Sequence, residues 1–568
     1  MGITLFWYVF KNLLKVFLAA SGVIAGIMSF GGLLKPLMDN GLNLGQVAKM
    51  LSFAMPAMTT YSYPIAALFA CTVVYGRLAA DNEVTAFRAA GISMGPWGLG
   101  KPALVLGLIV SIASLAALSF LVPAASLGME RTVVSNLGQL VVNRITSQHQ
   151  IQLYQTGSQP LTIFARAAQM EPPDPERPNE QVVTLEGVSI VTFDKTANPQ
   201  QLAIPEEFYL AKTARAYIRQ SDDPDDDAKP VQLLATLSDG VKFPRSVTGR
   251  KESAVQGGIV TSQFGPFYLQ SPMRENAKFM NVSKLQDLAQ HPEKSRRMQT
   301  SLQNLITTDQ QTAYLQTLLD QLANTGMVQF QTPTGDGYTL ISSNTANALD
   351  RARLTLTGDA TNQVRVIQKR SNNVPGDDWY ARVARLKVFP DNEDNRLAVA
   401  VELLDAELKQ DGESSIHDGK EINFAVPMPP AVREIANQKV EDFYRSDLSP
   451  VSRQILDRNL MKQNNSVRSE MHSRISFAIS CAILTLVGYG LGVMFKSGNY
   501  LNAFAVSVVP AILSIVLVVT GQHICENIPP DMKPGFKDPL NLGLIVIWAG
   551  NVIVLALAGG LLFKLKRT

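Results

Sequence analysis

Six stretches of this chain run without a charged side chain for the length a lipid bilayer demands: residues 16–34, 50–76, 102–129, 475–495, 497–525 and 539–563. A hydrocarbon layer about 30 Å thick takes about 20 apolar residues of helix, because a backbone in lipid must satisfy its own N–H and C=O groups. The sequence therefore predicts an α-helical integral membrane protein with six transmembrane helices. The fourth and fifth stretches abut across Lys496, and Ser497-Gly498-Asn499 supplies the turn between them. Lys11 and Lys15 ahead of the first stretch give it the outline of a signal peptide, but no small-residue cleavage site follows, and five further spans favour an uncleaved first helix. Pro56 and Pro64 predict a kink or broken turn within the second span.

Orientation follows from the basic residues near the span ends. An even number of spans puts both termini on one side, together with Lys11, Lys15, Arg77, Arg88, Lys101, Lys496, Lys564, Lys566 and Arg567, against Lys35, Lys49, Lys533 and Lys537 in the opposite short loops. Both termini are expected in the cytoplasm, and the long loop 130–470 outside. That loop reads first as β: residues 161–167, 182–194, 207–218 and 231–243 are rich in alternating and β-branched residues between Pro, Asp and Gly clusters. Leu302, Leu305, Leu315, Leu318, Leu319 and Leu322 then recur near helical spacing over about 294–324, a second β-rich region covers 327–426, and a charged helix over about 430–470 returns to the membrane.

The remaining composition mostly excludes functions. A net charge of +3 with no dense basic run gives no support to nucleic-acid binding. Cys71, Cys481 and Cys525 have no paired spacing and sit in or beside apolar segments, where they read as packing residues. The five histidines are scattered, and the acidic run Asp222, Asp223, Asp225, Asp226 and Asp227 lacks calcium-loop glycine spacing, so no cofactor or metal is expected in this chain. The segment Gly95-Pro96-Trp97-Gly98-Leu99-Gly100-Lys101-Pro102 imitates a phosphate-binding loop. Pro102 stands where a hydroxyl must meet Mg²⁺, Pro96 removes an amide, and the segment runs into a span. With no catalytic motif either, the chain is not expected to be an enzyme.

The informative stretch lies between the second and third spans, at about 79–91. Asp81 is placed to cap a short helix that ends at Gly91. On it Glu83, Phe87 and Ala90 share a face, so an acid and an aromatic ring project together. Composition alone favours an interfacial surface helix. Glu470 and Arg474, at i and i+4, are placed to pair where the fourth span begins, and Lys35 marks the outer end of the first.

The run from Gly76-Arg77-Leu78 through the acidic pair, Glu83, Phe87 and Arg88 to Gly91-Ile92 resembles the cytoplasmic coupling helix of the LptF/LptG permeases, the membrane subunits of the lipopolysaccharide-export ABC transporter. Glu470-Met471-His472-Ser473-Arg474, Val487 to Gly492 and Lys496-Ser497-Gly498 are similar to that family's fourth span, and Leu185 to Ile190 with Ala211 to Ala214 to its early external strands.

The resemblance implies a β-rich, jellyroll-like periplasmic domain between helices 3 and 4. It divides the chain into 1–129 (helices 1–3), 130–292 (jellyroll-like unit), 293–429 (additional α/β material), 430–470 (helical return) and 471–568 (helices 4–6). It also implies contact of Glu83 with a cytoplasmic ABC ATPase dimer, with Arg77, Asp81, Phe87 and Arg88 beside it, and a phosphate-directed role for Lys35. The implied partners are a second, similar permease, a periplasmic jellyroll bridge protein and a glycolipid substrate, in the inner membrane. Without the resemblance, a membrane-anchored periplasmic scaffold, or an ABC exporter of another lipid or lipoprotein, fits the same sequence.

Overall fold

The computed structural model describes residues 2–567 apart from 41–43, 135, 154–160, 173–174, 176, 178–179, 194–204, 220–230, 245–262, 270–275, 333–336, 343–345, 351–352, 359–361, 370–374, 392–395, 411–412, 437–449, 496–499 and 530–534. Among them are six helices long and apolar enough to cross a membrane: Ile3–Gly32, Met50–Ala80, Lys101–Thr132, Ser452–Met494, Phe504–Glu526 and Leu540–Lys566. These are spans one to six. Each overlaps one of the charge-free stretches. The acidic run at 222–227 and the turn at 497–499 lie outside the described residues.

Span two stays helical through Pro56 and Pro64, so of the kink or broken turn expected there the broken turn is absent. Hydroxyls serve the carbonyls nearby: Thr60 Oγ1 donates to the Pro56 carbonyl at 3.2 Å, and Ser62 Oγ reaches the Ser21 carbonyl of span one at 3.2 Å. Span three passes through a π-helical turn at Ala117–Leu121, which rotates the face it presents beyond that point. Span four is the outlier in length. It is one unbroken helix of 45 residues, Pro450–Met494, about 67 Å long at 1.5 Å per residue. From Pro450 on, the return helix expected over about 430–470 is continuous with the fourth span, because the polar outer half has helical spacing but no apolar run; Pro430–Ala436 is a helix of its own, and 437–449 lie outside the described residues.

Spans two and four pack backbone to backbone. A Cβ on Gly488 would lie 2.7 Å from the Leu68 carbonyl oxygen, and one on Gly492 2.9 Å from that of Thr72. Small residues four apart permit this approach, which in lipid substitutes dispersion and polar contacts for the missing hydrophobic drive. Asn551 of span six donates to the Ser476 carbonyl and hydroxyl of span four at 2.9 and 2.8 Å.

Outside the bundle lie two antiparallel sheets. The first has seven strands, β1 (Gln150–Leu153), β2 (Leu161–Phe164), β3 (Ala167–Met170), β4 (Glu180–Phe193), β5 (Pro205–Arg219), β6 (Val231–Pro244) and β7 (Gln263–Leu269), in the order β1-β2-β4-β5-β6-β7 with β3 also on β4. Gly187, at φ +59°, bends β4 where pairing passes from Glu186↔Thr213 to Val188↔Ala211, and the sheet curls there.

The second sheet has eight strands: β8 (Met327–Gln331), β9 (Gly337–Ile341), β10 (Ala346–Asp350), β11 (Arg353–Thr357), β12 (Val364–Lys369), β13 (Pro375–Asp391), β14 (Arg396–Gln410) and β15 (Glu413–Pro427). Asp405, at φ +50°, bends its long β13–β14–β15 ribbon. The helix Arg296–Thr325 packs on this sheet with Leu315, Leu318 and Leu322, buried with Leu354, Leu386 and Val399. Gly326 at φ +69° ends the helix and turns the chain into β8.

Candidate functional site

At the end of the bundle opposite the sheets, span two gives way to the short helix Glu83–Ala89. Asp81 does not cap it. The position before the helix is Asn82, left-handed at φ 58° and without a side-chain bond to the helix, while Asp81 turns back to Arg77 in an exposed ion pair of 3.5 Å. The turn is therefore made by Asn82's tolerance of the left-handed region, which a cap rule looking for an extended Asp or Ser passes over. The far end matches expectation: Gly91 at φ +78° lets the Ile92 amide reach the Phe87 carbonyl at 3.0 Å.

Phe87 also departs from expectation. It is half-buried against the bundle core beside the buried Val84, and so anchors the helix instead of projecting with Glu83. What faces outward is polar. Glu83 is half-exposed with the Tyr8 hydroxyl of span one 3.5 Å from Oε1, and Arg77, Asp81 and Arg88 are exposed around it.

The loop after this helix is gripped by two tyrosines that sequence reasoning treated only as family-like residues or not at all. Tyr489 of span four donates to the Met94 carbonyl at 2.7 Å, and Tyr75 of span two to the Leu99 carbonyl at 3.0 Å. Both side chains are fully buried, with rings edge to face at 4.7 Å. Gly100 makes room for them, since a Cβ there would meet the Tyr489 ring at 3.0 Å. The segment that imitates a phosphate loop is thus a packed turn leading from the short helix into span three.

At the sheet end of span four, Glu470 and Arg474 pair as expected, Nε to Oε1 at 2.8 Å, with side chains only 9% and 3% exposed. The pair does more than join two turns of one helix. Gln522 of span five donates to the other Glu470 oxygen at 2.8 Å, and Arg474 Nη2 lies 3.0, 3.1 and 2.8 Å from the carbonyls of Ala277, Lys278 and Met280. The backbone at Lys35 is helical, within Ile3–Asn40, but its side chain lies outside the described residues.

Between spans one, two and five a cavity of about 550 Å³ is lined by Val16, Ala19, Ala20, Val23, Ile24, Phe69 and Phe504, with Lys15 at its edge. Its walls are apolar apart from that lysine, and Phe69 meets Phe504 edge to face at 4.8 Å. The lining matches the chemistry of a hydrocarbon chain and presents a polar ligand with one ammonium.

The family model for the lipopolysaccharide export system permease LptF/LptG matches residues 7–152 and 357–564, more than half of the chain. The match reaches all six spans and resumes inside the second sheet, so β2 to β10 and the helix Arg296–Thr325 lie in the unmatched stretch. No curated protein matches the chain. With six membrane helices, a β-rich region of curled antiparallel sheets between the third and fourth, and this match over both membrane blocks, the chain belongs to the LptF/LptG family of lipopolysaccharide export permeases, multi-pass proteins of the inner membrane.

Proposed function

We propose that this chain is one half of the permease of an ABC transporter. It pairs with a second six-span subunit and a cytoplasmic ATPase dimer, takes lipopolysaccharide or a related glycolipid from the membrane, and hands it through its external β-region to a periplasmic jellyroll bridge. ATP hydrolysis then belongs to the partner, both termini are cytoplasmic, and the sheets are periplasmic. The observation that carries this reading is the short helix with Glu83, packed through Val84 and Phe87 on the bundle core at the end opposite the sheets, with the loop that follows it bonded to span four. A small helix anchored by Val84 and Phe87 and presenting charge outward is suited to move as one body with whatever grips it. The apolar groove between spans one, two and five supplies a wall for acyl chains, each buried CH₂ contributing about 0.8 kcal/mol.

Glu83→Ala in the co-expressed transporter is expected to lower glycolipid-stimulated ATP hydrolysis at least about tenfold, or to lose the ATPase on purification. A variant that keeps both the subunit and its stimulation sinks the assignment. Lys35→Ala is expected to weaken the stimulation roughly threefold, as for a partly solvated point charge on a phosphate. Unchanged stimulation would return Lys35 to the role of an interfacial anchor.

A further inference from the structure

Span four touches both functional ends of the molecule. At one end Tyr489 holds the Met94 carbonyl in the loop that directly follows the coupling helix. Fifteen positions earlier, about 22 Å along the same helix, Arg474 holds the carbonyls of Ala277, Lys278 and Met280. Those residues open the segment that runs through the helix Val282–Gln290 into Arg296–Thr325.

The segment stays on span four all the way out. Val467 packs with Leu285 and Leu288, Leu456 with Met298, Leu302, Leu305 and Ile306. Asn459 donates to Ser301 at 2.6 Å and Ser452 to Asp309 at 2.7 Å. The far half of Arg296–Thr325 is the core of the second sheet. Between the two clamps span four has no proline, and its glycines at 488, 490 and 492 sit at the gripped end against neighbouring spans. A helix with every internal hydrogen bond intact is stiff, and displacement at one end reappears at the other.

We propose that span four is the transmission rod of this permease. Tyr489 and Arg474 act as positioning residues at its ends, and the segment 277–325, which the family match leaves out, is a strut that makes the second sheet move with the coupling helix. The proposal rests on the transporter reading for its energy source, but the mechanical link is a property of this chain alone.

The test is therefore made on the full chain in phospholipid nanodiscs with no ATPase present, by amide hydrogen exchange. Tyr489→Phe removes one oxygen and keeps the ring. Exchange should rise at 92–100 and also, roughly threefold, at 277–290 across the membrane, the size of effect that part of one hydrogen bond has on a local opening equilibrium. Because coupling between sites is reciprocal, Arg474→Lys should raise exchange at 92–100. Ser507→Ala, which deletes a hydrogen bond internal to span five, should leave both segments unchanged. A Tyr489→Phe response confined to 92–100, or spread evenly over all spans, overturns the proposal. Failure of an ATPase to co-purify with the wild-type chain would overturn the transporter reading instead and leave this result standing.

Discussion

Arg474→Ala should cost the folded chain about 3–5 kcal/mol, the usual penalty for removing one partner of a buried ion pair. The value of the intact pair over an apolar replacement is a different and smaller quantity, and the surroundings of Arg474 allow the two to be separated. Alanine leaves the Glu470 carboxylate buried with the Gln522 amide still donating to it, and strips three carbonyls of the guanidinium that serves them. The double variant Glu470→Leu/Arg474→Met removes the stranded charge but not the stranded carbonyls, so it should recover part of the loss and retain about 1–3 kcal/mol. Arg474→Lys should fall between, because an ammonium keeps the charge but cannot meet a carboxylate on one side and a row of carbonyls on the other. Unfolding midpoints in mixed detergent micelles order the three variants. If the double variant is as unstable as Arg474→Ala, the cost lies in the carbonyl contacts and the ion pair contributes nothing of its own.

Arg474 also shows where the sequence stops being informative. Its pairing with Glu470 is legible, since i and i+4 on a helix face each other whatever the rest of the chain does. Its other partners are nearly two hundred positions away, in a stretch with no motif. The same boundary runs through the whole fold. Six spans are legible because a bilayer imposes one length and one composition on each. The β-character of 161–243 is legible because alternation is local. The separation of a second β-rich region at 327–426 by a helical stretch is legible for the same reason, but the strand order within each sheet is not, since pairing partners are chosen by a core assembled from distant strands and, in the second sheet, from Leu315, Leu318 and Leu322 of the intervening helix.

Span four is the instructive case among the helices. Its outer half carries Asp457, Arg458, Lys462 and Gln463, so hydropathy ends the span near 475 while the backbone continues from Pro450. In the short helix between spans two and three, Asp81 satisfies the sequence rule for a cap, yet the ion pair to Arg77 claims it and Asn82 makes the turn. Tyr75 and Tyr489 look like packing residues in apolar runs, and as far as their rings go they are. Their hydroxyls give them a second function, because in a water-poor interior a phenol must find an acceptor and the nearest ones are the carbonyls of the loop. The one local signal that span four approaches another backbone is the spacing Gly488-Tyr489-Gly490-Leu491-Gly492.

That spacing carries the second large effect. Gly488→Leu is expected to destabilise the bundle by about 3 kcal/mol or more, at the upper end of what overpacking costs, because the obstacles are rigid. A Cβ at 488 would meet the Leu68 carbonyl oxygen at 2.7 Å, the Cys71 Cβ at 3.0 Å and the Thr72 Oγ1 at 3.2 Å, two of them backbone or one bond from it. Neither helix can give way by a rotamer change, so the spans must part. Parting them withdraws Tyr489 from Met94 and opens the loop that follows the short helix, so lost stability should be accompanied by faster amide exchange at 92–100. Gly492→Leu should behave alike, since its Cβ would lie 2.9 Å from the Thr72 carbonyl oxygen. Gly559→Leu is the control: nothing lies within 4 Å of a Cβ there, and its unfolding midpoint should stay at the wild-type value. If Gly488→Leu unfolds no more readily than Gly559→Leu, spans two and four do not touch along this seam, and the tyrosine grip that depends on their contact is lost with it.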